Sequence, residues 1–420
     1  MRTLSVHPTD SAADAHSLVR ALAAATDGDV VSLMTGVYSP SRTGETLPIE
    51  VPAGVTVVGA GRGATVLDGE GLFEPSFNPI RTDLSVLVLG DRTLLSGLTV
   101  TNGGGHGVSV GPGTRASIHG CEISRHGQHG VFLAGVAEAV VSGNEFRQNG
   151  RRRSEPELPR GGKGHQGHHI FAVAMTGARN RLIITDNSMR DCWADGIGLV
   201  CFFDQGDGVT AHATILRNVI EESERGGFLF SASFGPSRNS FVLEAAHNVL
   251  RGNRQVGASV TVANPLAGPV PGGNSLALSL LDNEITDSPL GLRLQGGSSE
   301  ARGNTGRVLV NGNRFARCPT GALHAVAGRA TPTGTPSDNR LEVALLGNRF
   351  DDCGAPAVVL QAAAGGPAGA AEGNVLAVKM AGNLGLGSEA IQVCDGAPRN
   401  RVEIVPGSQA YGRAEGPLLT

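Results

Sequence analysis

NSLALSLLDNEI (274–285), NTGRVLVNGNRF (304–315), NRLEVALLGNRF (339–350) and NVLAVKMAGNLG (374–385) are one twelve-residue phrase written four times. With NSFVLEAAHNVL (239–250) they define two lines of asparagine nine residues apart: Asn239, Asn274, Asn304, Asn339, Asn374, and Asn248, Asn283, Asn313, Asn348, Asn383. Between the lines apolar residues fall on every second position, as in Leu276, Leu278 and Leu280 or Leu376, Val378 and Met380. Period-two alternation means strands. Two residues after the second Asn stands another apolar residue (Leu250, Ile285, Phe315, Phe350), and Phe146, Met189 and Ile220 extend that row upstream. From Asn187 to Asn383 the second-line residues lie 30 to 35 apart, a spacing that marks repeat architectures. Helical repeats fit poorly, because glycine occurs 62 times and few segments keep a 3.6-residue period. Short strands joined by turns and stacked at about 4.8 Å per coil would place the Asn residues in ladders at a bend, where Asn tolerates left-handed backbone and bonds its neighbours above and below. The expected fold is all-β, a right-handed parallel β-helix.

Composition narrows the setting. An uninterrupted repeat over 420 residues predicts one solenoid domain rather than several globular ones. Aromatic residues make up 4% of the chain, so the core must be aliphatic. A net charge of −4 argues against a nucleic-acid partner. No stretch approaches a membrane span, and MRTLSVHPTD (1–10) lacks the charged-then-apolar run of a secretory signal, so a cytoplasmic location is expected. Cys121, Cys192, Cys201, Cys318, Cys353 and Cys394 show no CxxC pairing and read as small buried hydrophobes.

An open solenoid needs a cap, and residues 1–28 offer one. Ser11 to Asp14 has capping-box spacing, and Ala15, Leu18, Val19 and Leu22 recur at helical intervals before Gly28. Residues 29–100 would form the opening strands, 101–405 the repeat coils and 406–420 a tail over the open end or against a second subunit. The run DGDVVSLMTGVYSPSRTGETLPIEVPAGVTVVGAGRGATVLDG (27–69) resembles the opening segment of the right-handed β-helix repeat, or pectate-lyase-like, superfamily. That resemblance implies the fold for nearly the whole chain. It also implies a range of activities, among them polysaccharide lyases, uronate epimerases, glycoside hydrolases and non-catalytic carbohydrate- or metal-binding proteins.

Chemistry must then be sought by stacking the coils. Aligned on the small residue that opens the apolar strand, His106, His129, His168 and Asp195 form one column, followed by Arg225 and then by Val256, Leu290, Thr320 and Ala355. Three residues earlier a second column reads His126, His165, Cys192 and Glu222. Seven of the twelve histidines lie between 106 and 169, which singles out this region. Equivalent side chains on neighbouring coils sit about 5 Å apart. Stacked imidazoles disfavour each other's protonation while a carboxylate such as Asp195 favours it, so one could act as base and another as acid. The same columns would also serve as solvated ladders on surface turns. A metal site is the further alternative, since His165, His168 and His169, and His126 with His129, share an i, i+3 spacing.

Two interruptions adjoin these columns. Asn144 to Asn187 spans 43 residues, and the excess QNGRRRSEPELPRGGKGHQG (148–167) is a basic, glycine-rich insertion in which Lys163 is suited to an anionic substrate. CFFDQGDG (201–208) offers Phe203 as an apolar wall, and Trp193 is the one indole able to stack on a sugar ring. The sequence thus predicts catalytic roles for His129, His168, Asp195, His106, His165 and Arg225. Substrate contacts are expected from Trp193, Lys163, His126, His169, Glu222 and Phe203. The expected activity is cofactor-independent acid/base catalysis by a lyase or epimerase-like isomerase on an acidic sugar, with an oligosaccharide or small-molecule substrate and a homo-oligomer allowed. The alternatives are a tailoring isomerase or cyclase acting on a small biosynthetic intermediate, and a binding solenoid without turnover.

Overall fold

A computed structural model describes residues 1–8, 17–72, 81–150, 167–202, 207–264, 272–332, 334–365, 371–386, 390–395 and 399–405. It is built from parallel strands, and its residues group into two compact units: Met1–Val173 with Gly177–Gly198 and Glu222–Glu224, and Ala174–Thr176 with Leu199–Glu221 and Arg225–Thr420.

In the first unit each coil gives one short strand to each of three parallel sheets. The first sheet includes Thr93–Ser96, Arg115–His119, Glu138–Ser142 and Arg181–Thr185; the second Thr99–Thr101, Glu122–Ser124, Glu145–Arg147 and Ser188–Arg190; the third Ser85–Leu89, His106–Val110, Val131–Ala134 and Ile170–Val173. Register follows the apolar alternation. Leu95, Ile118, Val141 and Ile184 face one another in sequence, as do Val100, Ile123, Phe146 and Met189, and all eight are at most 1% exposed. A one-residue slip would turn every one of them outward, which is why the pairing is so regular.

The second unit repeats the plan with longer strands. Its first sheet runs through Ser240–Ala246, Ser275–Leu281, Thr305–Asn311, Arg340–Leu346 and Val375–Ala381, and stacks Leu243, Leu278, Val308, Val343 and Val378 in one buried column. Its second sheet stacks Ile220, Leu250, Ile285, Phe315 and Phe350, the last two with ring centroids 5.3 Å apart.

Both Asn lines are buried ladders. Each Oδ1 of the second line accepts the backbone N–H of the preceding coil's Asn, as from Asn248 to Asn283 and from Asn283 to Asn313, both at 2.9 Å. The same oxygen also accepts that residue's Nδ2–H at 2.9–3.0 Å. The first line repeats this through Asn274, Asn304, Asn339, Asn374 and Asn400. The left-handed backbone expected of the Asn residues belongs instead to the residue before each: His247 (φ 56°), Asp282 (51°), Gly312 (67°), Gly347 (60°) and Gly382 (65°). That arrangement frees the amide side chain for the ladder.

A helix, Ser17–Ala24, packs Leu18 and Leu22 (1% and 2% exposed) against strands Thr3–Val6, Val30–Leu33 and Ile49–Val51. Its first turn donates to a distant carboxylate, Leu18 N to Glu45 Oε1 (3.3 Å) and Val19 N to Glu45 Oε2 (3.2 Å). The expected capping box at Ser11 to Asp14, with Ala15, lies outside the described residues. Glu45→Ala is expected to lower stability by about 1–2 kcal/mol, the usual cost of a lost N-terminal cap, measured as a shift in the urea midpoint. No described helix is long and apolar enough to cross a membrane.

Candidate functional site

The third sheet of the first unit carries imidazoles where its strands begin. Val108 pairs with Val131 and Val131 with Ile170, which brings His106, His129 and His168 into one column. Glycine follows the first two histidines for a steric reason. A Cβ at Gly107 would stand 2.5 Å from His126 Nε2, and one at Gly130 2.8 Å from Asn149 Nδ2, so these positions admit no side chain on the core side. The histidines before them take the opposite face.

There the rings stack. His106 and His129 lie 5.0 Å apart with planes 5° from parallel, and His129 and His168 are 5.4 Å apart. Phe132 covers His106 at 4.7 Å, and Phe171 covers His129 at 4.6 Å and His168 at 4.5 Å. All five are buried. Backbone N–H groups bind the imidazoles coil to coil: His129 donates to His106 Nδ1 (3.4 Å), and His168 to His129 Nδ1 (3.0 Å). A ring that accepts at Nδ1 and is neutral carries its proton on Nε2.

Electrostatics agrees with neutrality. Burial, reinforced by His126, pushes His106 down to about 3, against the opposing pull of the Arg81 carbonyl and Asp83. Burial together with His106 and His168 holds His129 well below the usual imidazole range. Bases this weak take no proton near neutral pH. The column ends differently: His168 Nδ1 lies 3.7 Å from Asp195 Oδ2, both residues being buried. Gly198 permits this approach, since a Cβ there would meet Phe171 at 2.7 Å and His168 Nδ1 at 3.2 Å.

The second expected column is different in the structure. Ile123 pairs with Phe146, so the residue opposite His126 is Asn149, not His165. His126 N donates to Asn149 Oδ1 (3.2 Å), and Phe146 opposite Met189 carries the row on to Cys192. His126 is fully buried, accepts from Gly103 N at Nδ1 (3.0 Å) and meets the Val100 carbonyl through Nε2 (3.1 Å). Burial holds its pKa at about 4. His169 likewise faces the core, beside Asn149 Nδ2 (3.0 Å) and Phe146, and is pushed down to about 3 by burial. These two histidines serve as corner supports at 0% exposure, against 4% for His168 and 2% for Asp195. Glu222 stands outside, paired with Arg190 at 3.1 Å, and Trp193 is half-buried.

Arg225 falls one place out of the expected column. Gly226, not Arg225, shares a row with Val256 and Leu290, and the row continues through Gly321 and Pro356 rather than Thr320 and Ala355. His165, Lys163 and Phe203 lie outside the described residues. Among the described residues no group of three or more His, Cys, Asp or Glu side chains is arranged to hold a metal ion. Asn149 and Phe132 were missed by the sequence reading. The spacing His129–Phe132, repeated as His168–Phe171, was the signal available for the second.

The sequence profile described as the right handed beta helix region matches residues 85–266. No curated protein sequence matches the chain. Among solved structures the chain is similar to the family 28 exopolygalacturonase of Yersinia enterocolitica, at 10% identity over 97% of this chain and 79% of that one, with a TM-score of 0.50. Similarity extends to the polygalacturonase of Erwinia carotovora (11%, 96% of each chain, TM-score 0.49). The catalytic unit of an alpha-1,3-glucanase from Streptomyces thermodiastaticus also resembles it (15%, 91% and 68%, TM-score 0.49). At such identities the likeness is one of fold. Parallel pairing coil upon coil and the Asn ladders make the chain a right-handed parallel β-helix, and residues 85–266 match the sequence profile of that fold.

Proposed function

We propose that the protein is a cofactor-independent acid/base enzyme, a lyase or epimerase-like isomerase acting on an acidic sugar, with His168 and Asp195 as its proton-transfer pair. The carrying observation is a contrast within one column: the rings of His106 and His129 accept backbone N–H groups and are weak bases, whereas the ring of His168 lies 3.7 Å from the Asp195 carboxylate. A carboxylate favours the imidazolium, which makes His168 the candidate base of the column. Removal of the proton beside a sugar carboxylate, followed by elimination or by return of the proton to the other face, needs such a base. It also needs a cation beside the developing enolate, and Lys163 and Arg225 are the candidates for that role. The substrate class is supported by the carbohydrate-active enzymes that share the fold.

A second reading, an isomerase or cyclase acting on a less polar biosynthetic intermediate, is favoured by Phe132 and Phe171, which press against the imidazoles. Incubation with oligouronates and with neutral oligosaccharides, followed by ultraviolet detection of unsaturated product and by proton NMR in deuterated water, separates the readings. Chelator in a parallel arm tests the metal alternative. Asp195→Asn and His168→Ala are expected to reduce turnover by about 10²-fold, the lower range for a lost general base. Full activity in both variants on an identified substrate sinks the assignment.

A further inference from the structure

Cations in the second unit fall into two classes. On its first and second sheets most come with carboxylates: Arg307 with Glu342, Arg314 with Glu284 and Asp351, Arg317 with Asp287, Arg349 with Asp351, all at 2.6–3.2 Å. The third sheet is built otherwise. Its strands Gly226–Phe234, Val256–Ala263, Leu290–Ser298, Leu323–Arg329, Val358–Ala364 and Ile391–Cys394 contain no acidic residue, yet carry Arg293, His324 and Arg329.

Register collects these groups on one face. Leu292 and Leu294 are buried in the core, so Arg293 between them projects from the opposite side, directly across from His324. Among the described residues the Arg293 guanidinium has neither a hydrogen-bond nor an ion-pair partner, although it is half-buried. Its charged neighbours are Arg329 and Arg225, and burial with these two cations weakens its hold on its proton. His324, also held down by burial and by Arg293 and Arg329, contacts Gln361 Oε1 through Nε2 at 2.8 Å. Gln361 and, in the same row, Gln295 are buried amides. Among the described residues, the charges acting on Arg293 and His324 are cations.

We propose that this face is an oxyanion-binding site in which the Arg293 fork grips a carboxylate or phosphate group, Arg329 and His324 flank it, and the amide row receives hydroxyl groups of the same ligand. A guanidinium presents parallel N–H donors matched to either oxyanion, and desolvation strengthens the contact. The site shares no residue with the His168–Asp195 pair, and its test reads binding rather than turnover, so either idea can fail alone.

Isothermal titration of the full chain with a short oligouronate, with inorganic phosphate and with a neutral oligosaccharide tests it. Expected is saturable binding of at least one anionic probe, weakened about tenfold or more in Arg293→Ala, with Arg293→Lys intermediate because charge is kept and the fork lost. Which anion binds identifies the source of the oxyanion. The melting temperature of Arg293→Ala should stay level or rise, since a like charge is removed, and this guards against mistaking misfolding for lost binding. The proposal is overturned if neither anion binds at millimolar concentration, if Arg293→Ala binds as the parent does, or if the neutral sugar binds equally well.

Discussion

Lowering the pH from 7 to 5 is expected to destabilise the protein by an amount on the order of 8 kcal/mol, comparable to the whole stability of a typical domain. The cause is a set of imidazoles buried neutral in the first unit. Burial holds His106 at about 3, His169 at about 3 and His126 at about 4, and leaves His129 well below the usual value. In the unfolded chain the same groups titrate near 6.5. A folded pKa depressed in this way means that the unfolded state binds more protons below about pH 6.5. Stability is therefore complete above that pH and falls as pH drops toward the folded values, by about 1.4 kcal/mol per pH unit for each group. Four groups together give a slope of about 5 kcal/mol per unit. Urea midpoints measured from pH 7.5 to 4.5 read the slope directly, and a level profile between pH 7 and 5 would contradict it.

Asn283→Ala is expected to cost about 3–5 kcal/mol. Asn283 is 2% exposed; its Oδ1 accepts both N–H and Nδ2–H of Asn248, and its Nδ2 donates to the Ala245 carbonyl and to Asn313 Oδ1. Alanine leaves the Asn248 N–H and the Ala245 carbonyl buried without these partners, at about 1–3 kcal/mol each. Asn283→Asp keeps the acceptor but points a carboxylate at two oxygens, and should lose at least as much at neutral pH. Equilibrium unfolding decides, and a loss below about 1 kcal/mol for the alanine variant would mean that the ladder is ornamental.

Much of the fold was legible because burial acts on a fixed period. The apolar alternation after each first-line Asn has to face inward, and it does so in the pairing of Leu278 with Val308 and of Val308 with Val343. The His106–His129–His168 column was legible for a related reason. A glycine is forced where the corner crowds His126 and Asn149, and His-Gly therefore marks the register. Glycine misled where that crowding differs. Aligning Arg225 on the following Gly226 ignored Phe228, Ala258, Leu292 and Leu323, whose inward packing sets the pairing and shifts Arg225 by one place.

His165 was aligned with His126 by distance from the next strand, yet Asn149 already fills that place before the insertion begins. Nor could spacing separate His168 from His169. The two are adjacent, and only the alternation of the strand sends one ring to Phe171 and the other to Phe146. The unpartnered Arg293 was overlooked because isolated cations carry no motif; what distinguishes it is the absence of acid from the third-sheet strands of the second unit, visible only once strands are assigned to sheets.

The central claim is that one column contains two kinds of imidazole, backbone-bound and neutral at His106 and His129, carboxylate-facing at His168. Long-range nitrogen–proton NMR of the histidine rings, recorded at neutral pH on the parent and on Asp195→Asn, tests it most directly. The account predicts the neutral Nε2–H pattern for His106 and His129 in both proteins, and a change in the ring nitrogens of His168 alone when the carboxylate is removed. A protonated His129 at neutral pH, or a His168 signal indifferent to the loss of Asp195, would contradict it.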